Sequence, residues 1–235
     1  MIKQTINERI IKTGFLLCLF LITLSCSKND EPLDVKDDVL RKVGVFGGSV
    51  SSLPESETAK NVWKEHLNID VITCGIGGAG FSSLTNNYVP SQIEKAEVFD
   101  IYILWASTND AVINAIGDFD SKDETTQSGG ILKSIEIIKQ KNSNALILFF
   151  TSLPRFDYDI YYNRISNFVD GQIALCKQEH LPCLNQNSFC KFDKSNYAEY
   201  YLEDQIHLNN KGYTSIATIQ MEFIRENIRN HFLRK

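Results

Sequence analysis

The chain has 235 residues, of which 43% are apolar, and a formal charge of −5. That apolar share is ordinary for a globular protein with a real core. The negative balance, with no basic run interleaved with aromatics, argues against a nucleic-acid partner, which would want a basic face.

Reading from the N-terminus, the first residues are predicted to lie outside the fold. Lys3, Arg9 and Lys12 form a basic lead, Phe15 to Leu24 an apolar run, and Ser25-Cys26 a step before the polar stretch Ser27-Lys28-Asn29-Asp30-Glu31. This is the pattern of a secretory signal. The run is too short for a bilayer-spanning helix, which needs roughly 18 to 20 residues. Thr23-Leu24-Ser25-Cys26 resembles a bacterial lipobox, with Thr23 where Leu is usual. That resemblance implies a lipoprotein signal over 1–25, a lipid on Cys26 that anchors the chain to a membrane, and a linker over 26–40. The acidic tail after Cys26 also resembles sorting signals for the outer cell surface. Plain cleavage beside an incidental cysteine is the alternative. What remains, 41–235, is the length of one domain.

Apolar runs then alternate with amphipathic stretches. Strands are predicted over 42–47, 69–74, 100–106, 145–151 and 181–185, and helices over 57–67, 129–141, 162–180 and 210–229. The third and fourth strands are continuously apolar, as strands of a parallel sheet covered on both faces are. In the last helix Ile216, Ile219, Phe223 and Ile224 recur at helical spacing and give one buried face. The alternation predicts a three-layer α/β sandwich around a parallel sheet of five strands.

Residues with chemistry gather where these strands end. Gly47-Gly48-Ser49 ends the first, Gly75-Ile76-Gly77-Gly78-Ala79-Gly80 follows the second, and Ser107-Thr108-Asn109-Asp110 follows the third. Asp204-Gln205-Ile206-His207 precedes the final helix and sets a carboxylate three residues from an imidazole, close enough for one to orient the other. Serine, base and orienting acid are the parts of an acyl-transfer enzyme.

In this order and spacing the four blocks resemble the SGNH hydrolases, also called GDSL-type esterases and lipases, across essentially all of 41–229. The resemblance implies a flavodoxin-like sheet, Ser49 as nucleophile, His207 as base and Asp204 as the carboxylate that orients it. It further implies an oxyanion hole made by the backbone N–H groups of Ser49 and Gly78 and the side chain of Asn109, with no metal or organic cofactor. The expected activity is hydrolysis of a small acylated substrate, an O-acetylated carbohydrate first. An acyl-ester or lysophospholipid hydrolase with a longer acyl pocket is the alternative, and an inactive surface glycan binder is another. Some positions depart from the family's usual pattern. Gly48 stands where Asp is frequent, Ser107 where Gly is, and Cys74 and Ala79 where Asn and Asp are.

Plainer readings accompany these. A serine after a glycine turn can be a helix cap, and Asn109-Asp110 can cap a helix starting near Ala111, with Asp110 holding the loop rather than reacting. Gly75 to Gly80 satisfies the dinucleotide fingerprint, but it lies on the second strand and no acid ends the next one. Cys74, Cys176, Cys183 and Cys190 contain no C-x-x-C spacing that suggests zinc, and disulfides and free thiols stay open. Aromatics at Phe156, Tyr158, Tyr161 and Tyr162, and again at Tyr197, Tyr200 and Tyr201, either rim a crevice for a sugar or pack their own loops. Arg155 beside them is a candidate for meeting an anionic group.

Overall fold

The computed structural model describes residues 39–118 and 121–233. The predicted signal, the Cys26 lipid site and the linker up to residue 38 lie outside the described residues. In chain order the strands are β1 (Arg41–Gly47), β2 (Ile69–Thr73), β3 (Ala79–Gly80), β4 (Asn87–Tyr88), β5 (Ile101–Trp105), β6 (Leu146–Phe150) and β7 (Cys183–Leu184). The helices are α1 (Ser49–Ser52), α2 (Glu57–His66), α3 (Val89–Lys95), α4 (Asn109–Val112), α5 (Gln127–Lys141), α6 (Asp159–Gln178), α7 (Gln186–Phe189), α8 (Tyr197–Tyr200) and α9 (Asn210–Ile228).

Five strands make one parallel sheet in the order β2-β1-β5-β6-β7, as predicted, while β3 and β4 form a separate two-stranded ladder. Alternation along the strands builds two cores. Val43, Val45, Ile101, Ile103, Trp105, Leu148 and Phe150 face α2 and α9. Phe46, Tyr102, Leu104, Ile147 and Phe149 face the opposite way, onto residues of α3, α5 and α6. Covered on both faces, β5 and β6 are buried at every position, which is why they read as unbroken apolar runs. On the first face Trp63 of α2 sits 6.0 Å from Trp105 and 5.9 Å from Phe150, ring centre to ring centre.

Chain order reverses at β1, whose neighbours β2 and β5 lead off on opposite sides. The crevice at the C-terminal ends of such strands is where ligands collect in open α/β sheets. Ser49 follows β1 and Asn109 follows β5, so both lie at that crevice. Several boundaries differ from expectation. The fifth strand pairs only at Cys183 and Leu184, and the helix predicted over 162–180 begins at Asp159. Among the described residues, Cys74, Cys176, Cys183 and Cys190 are unpaired thiols; burial pushes Cys190 up to about 12 and Cys74 up to about 11.

Candidate active site

The turn that carries Ser49 depends on Gly47. Its φ is +155°, and a Cβ there would lie 2.2 Å from the Trp105 carbonyl oxygen. Only glycine lets β1 end this close to β5 and swing the chain into α1. Ser49 opens α1, and its Oγ lies 2.7 Å from Nε2 of His207, 158 positions away in the chain. Lys60 supports α1 from beneath. Its fully buried ammonium donates to Ser51 O at 2.6 Å, Thr73 Oγ1 at 2.7 Å, Glu57 Oε1 at 2.9 Å and Ser56 Oγ at 3.0 Å. Burial lowers the Lys60 pKa from its ordinary value, and the Glu57 carboxylate offsets part of that.

His207 is fixed from its other side by Asp204, whose Oδ2 lies 2.6 Å from Nδ1. The second carboxylate oxygen accepts the backbone N–H of Ile206 at 2.9 Å and of His207 at 3.0 Å. Burial pushes the Asp204 carboxyl up, but the His207 ring and these two N–H groups outweigh it, so it sits below its ordinary pKa. A carboxylate can only accept, so Nδ1 carries the proton and Nε2 presents a lone pair to the Ser49 hydroxyl. The intervening Gln205 takes a left-handed conformation, φ +60°, uncommon for a residue with a side chain. Its carbonyl accepts Phe156 N–H at 2.8 Å, which ties the loop to the segment after β6.

The loop after β2 brings Gly78, at φ +76°, to the same crevice. Asn109 Nδ2 donates to the Ala79 carbonyl at 2.8 Å, and a second N–H remains on that amide. Asp110 is not the helix cap that the sequence suggested, since Thr108 holds that place and Asp110 lies within α4. It is fully buried, accepting Ser82 N–H at 2.8 Å, Phe81 N–H at 3.0 Å and Gln127 Nε2 at 3.0 Å. Burial pushes its pKa up against those three donors. The role anticipated for it, holding a loop, is what these contacts do: they clamp the segment after Gly78 to the base of Asn109.

A cavity of about 420 Å³ opens over these groups. Ser49, Gly78, Asn109 and His207 line it together. Asp204 stands behind His207, in contact through Nδ1. Sequence reasoning did not single out the apolar part of the lining, from Val50, Val112, Leu153 and Ile206. Val50 and Ile206 neighbour motif residues, and position in the motifs was the available signal. Arg155 lines the cavity as well. Most of the aromatics pack against each other. Phe156 stacks on Tyr197 at 5.0 Å and meets Tyr201 edge-on at 5.0 Å, and the Tyr201 hydroxyl donates to Pro154 O at 2.8 Å. Tyr158 meets Tyr161 edge-on at 5.6 Å and keeps 63% of its surface exposed. Among the described residues no group of three or more His, Cys, Asp or Glu side chains is placed to hold a metal ion.

A parallel α/β sheet with serine, histidine and aspartate meeting at its C-terminal edge is the layout of a hydrolase that works by nucleophilic attack. Residues 46–214 match the family model of the GDSL-like lipase/acylhydrolase family. The chain belongs to that family and is an ester-bond hydrolase. Among solved structures it is similar to a protein from Lactobacillus plantarum, with 17% identity and a TM-score of 0.66 over 83% of this chain and 99% of that one. It is also similar to a possible lipase from Chitinophaga pinensis (16%, TM-score 0.60, 79% of this chain and 98% of that one). The M. smegmatis aryl esterase gives 12% identity and a TM-score of 0.61, over 79% of this chain and 99% of that one. At these identities the likeness concerns the fold. No curated protein matches the chain.

Proposed function

We propose that the protein is a serine esterase in which Ser49 is the nucleophile, His207 the general base and Asp204 its orienting acid, and that its substrate is an O-acetylated carbohydrate. The observation that carries the reading is the unbroken line from Asp204 Oδ2 through the His207 ring to Ser49 Oγ, with contacts of 2.6 and 2.7 Å. His207 Nε2 takes the hydroxyl proton as Ser49 Oγ attacks the carbonyl carbon. The oxygen of the tetrahedral intermediate is held by the N–H groups of Ser49 and Gly78 and by the Asn109 side-chain amide. The imidazolium then protonates the departing alcohol, leaving an acyl-Ser49. Water, deprotonated by the same nitrogen, attacks the acyl group and frees the acid and the serine.

The acetyl reading draws on the family and on the proposed location at the cell surface. The apolar wall of Val50, Val112, Leu153 and Ile206 favours a second reading, an esterase for longer acyl chains. Location is part of the proposal: residues 1–25 as a lipoprotein signal, Cys26 as lipid site, and the domain displayed outside the cell. Incorporation of labelled palmitate that disappears in Cys26→Ala tests the anchor, and protease shaving of intact cells tests the exposure. For the chemistry, 4-nitrophenyl acetate turnover by the wild type and its loss in Ser49→Ala is the test. Acetate release from acetylated polysaccharides, set against an acetate-to-octanoate ester series, tests the substrate. A rate that climbs with chain length would select the second reading.

A further inference from the structure

We propose that Arg155 makes this cavity selective for esters that carry a carboxylate close to the scissile bond. The inference rests on the esterase reading of the same site and narrows its substrate class. Among the described residues, Arg155 is the one side chain with a permanent charge lining the cavity that holds Ser49, Asn109 and His207. Its side chain is 8% exposed, so the charge is shielded from bulk water.

The guanidinium is fixed on one edge and one face. Nε donates to Asp157 Oδ1 at 2.6 Å and Nη2 donates to Asp157 Oδ2. The Tyr161 ring covers one face, 4.6 Å from Cζ to ring centre. Among the described residues, Nη1 has a single long contact, 3.4 Å to Thr108 Oγ1. Thr108 lines the cavity, so Nη1 is the edge turned towards it. Two N–H groups on a preorganised fork fit an anionic oxygen better than they fit a distant hydroxyl.

Asp157 does not cancel this preference. An anion at Nη1 would sit roughly twice as far from the Asp157 carboxylate as from the guanidinium carbon, so attraction exceeds repulsion. A second guanidinium reinforces the field. Arg164, held by Ala111 O at 2.7 Å and Val112 O at 3.1 Å, lies 5.8 Å from the centre of the same Tyr161 ring.

Two substrate pairs test the idea and separate the two sides of the ester. 4-Nitrophenyl hemisuccinate against 4-nitrophenyl butyrate puts the carboxylate on the acyl group. O-Acetylated glucuronic acid against O-acetylated glucose puts it on the alcohol. In the wild type, kcat/KM is expected to favour the acid member of one pair by about tenfold, the worth of one charge-assisted hydrogen bond. In Arg155→Gln/Asp157→Asn, which removes both charges together, that ratio falls to about one. Should the double variant fail to fold, Arg155→Lys carries the test: charge is kept, the fork is lost, and the ratio drops. Equal turnover of acid and neutral esters by the wild type in both pairs, or a ratio unmoved in the variants, overturns the selectivity and leaves the esterase standing. No turnover of any ester, acid or neutral, overturns both.

Discussion

Gly48 and Ser107 compete for one space. A Cβ added to Gly48 would lie 2.8 Å from Cβ of Ser107 and 2.6 Å from the Ala79 carbonyl oxygen. The Ser107 hydroxyl donates to that same carbonyl at 2.7 Å, and the Asn109 amide donates to it at 2.8 Å. Glycine at 48 and serine at 107, the two departures from the usual family pattern, are therefore sterically linked: with Ser107 in place, a side chain at 48 has no room.

This relationship predicts coupling. Gly48→Ala should overpack the turn and cost about 1 to 3 kcal/mol in urea unfolding. Ser107→Gly added to it should restore part of that loss, an interaction of about 0.5 kcal/mol or more in a double-mutant cycle. Strict additivity of the two changes would mean that the residues do not share the space.

Asn109→Ala should leave the fold intact and remove one donor to the developing oxyanion. Its kcat should fall by about 100- to 1,000-fold with little change in KM. A change confined to KM would assign Asn109 to substrate binding instead.

Asp204 gives a signed pH prediction. Its folded pKa is depressed, so the stability it contributes is present in full above the ordinary carboxylate pKa and is lost as pH falls through the lower folded value. Asp204→Asn should lower Tm most near neutrality, with the gap to the wild type closing below about pH 4. The group is partly exposed, so the gap should be modest, whereas kcat should fall by about tenfold or more as His207 loses its fixed tautomer. A Tm gap that widens on acidification would contradict the assignment.

Lys60→Met keeps the volume but leaves the Ser51 carbonyl and the Thr73 and Ser56 hydroxyls without their shared cation. Destabilisation of about 1 to 3 kcal/mol is expected, measured as a lower urea midpoint at constant m. A midpoint equal to that of the wild type would show that water or rearranged hydroxyls replace the ammonium.

Much of this could be read from residues alone, for physical reasons. β5 and β6 are buried on both faces and leave no polar position to blur the pattern, and α9 carries one apolar stripe. Ser49, Gly78, Asn109, Asp204 and His207 each stand at a strand end or before a helix, where the motif order marks them. What escaped is short or depends on distant partners. α1 and α4 have four residues each, too few for any periodicity to register. α3 begins with Pro90 in its first turn and spans seven residues, so it merges with the polar loop before it. Lys60 looks like a surface lysine, although it shares a helical face with Ala59 and Trp63, both fully buried. Only tertiary structure reveals that Thr73 and Ser51 meet it there. The steric link between positions 48 and 107 was visible only as two separate oddities, because nothing in the chain says that they touch.

The central claim is that the Ser49 hydroxyl, activated by His207, forms the acyl-enzyme. A fluorophosphonate probe followed by peptide mass spectrometry tests it most directly. A single covalent adduct is expected on the Ser49 peptide, absent in Ser49→Ala and strongly slowed in His207→Ala. Esterase activity that survives while Ser49 stays unmodified, or an adduct on another residue, would contradict it.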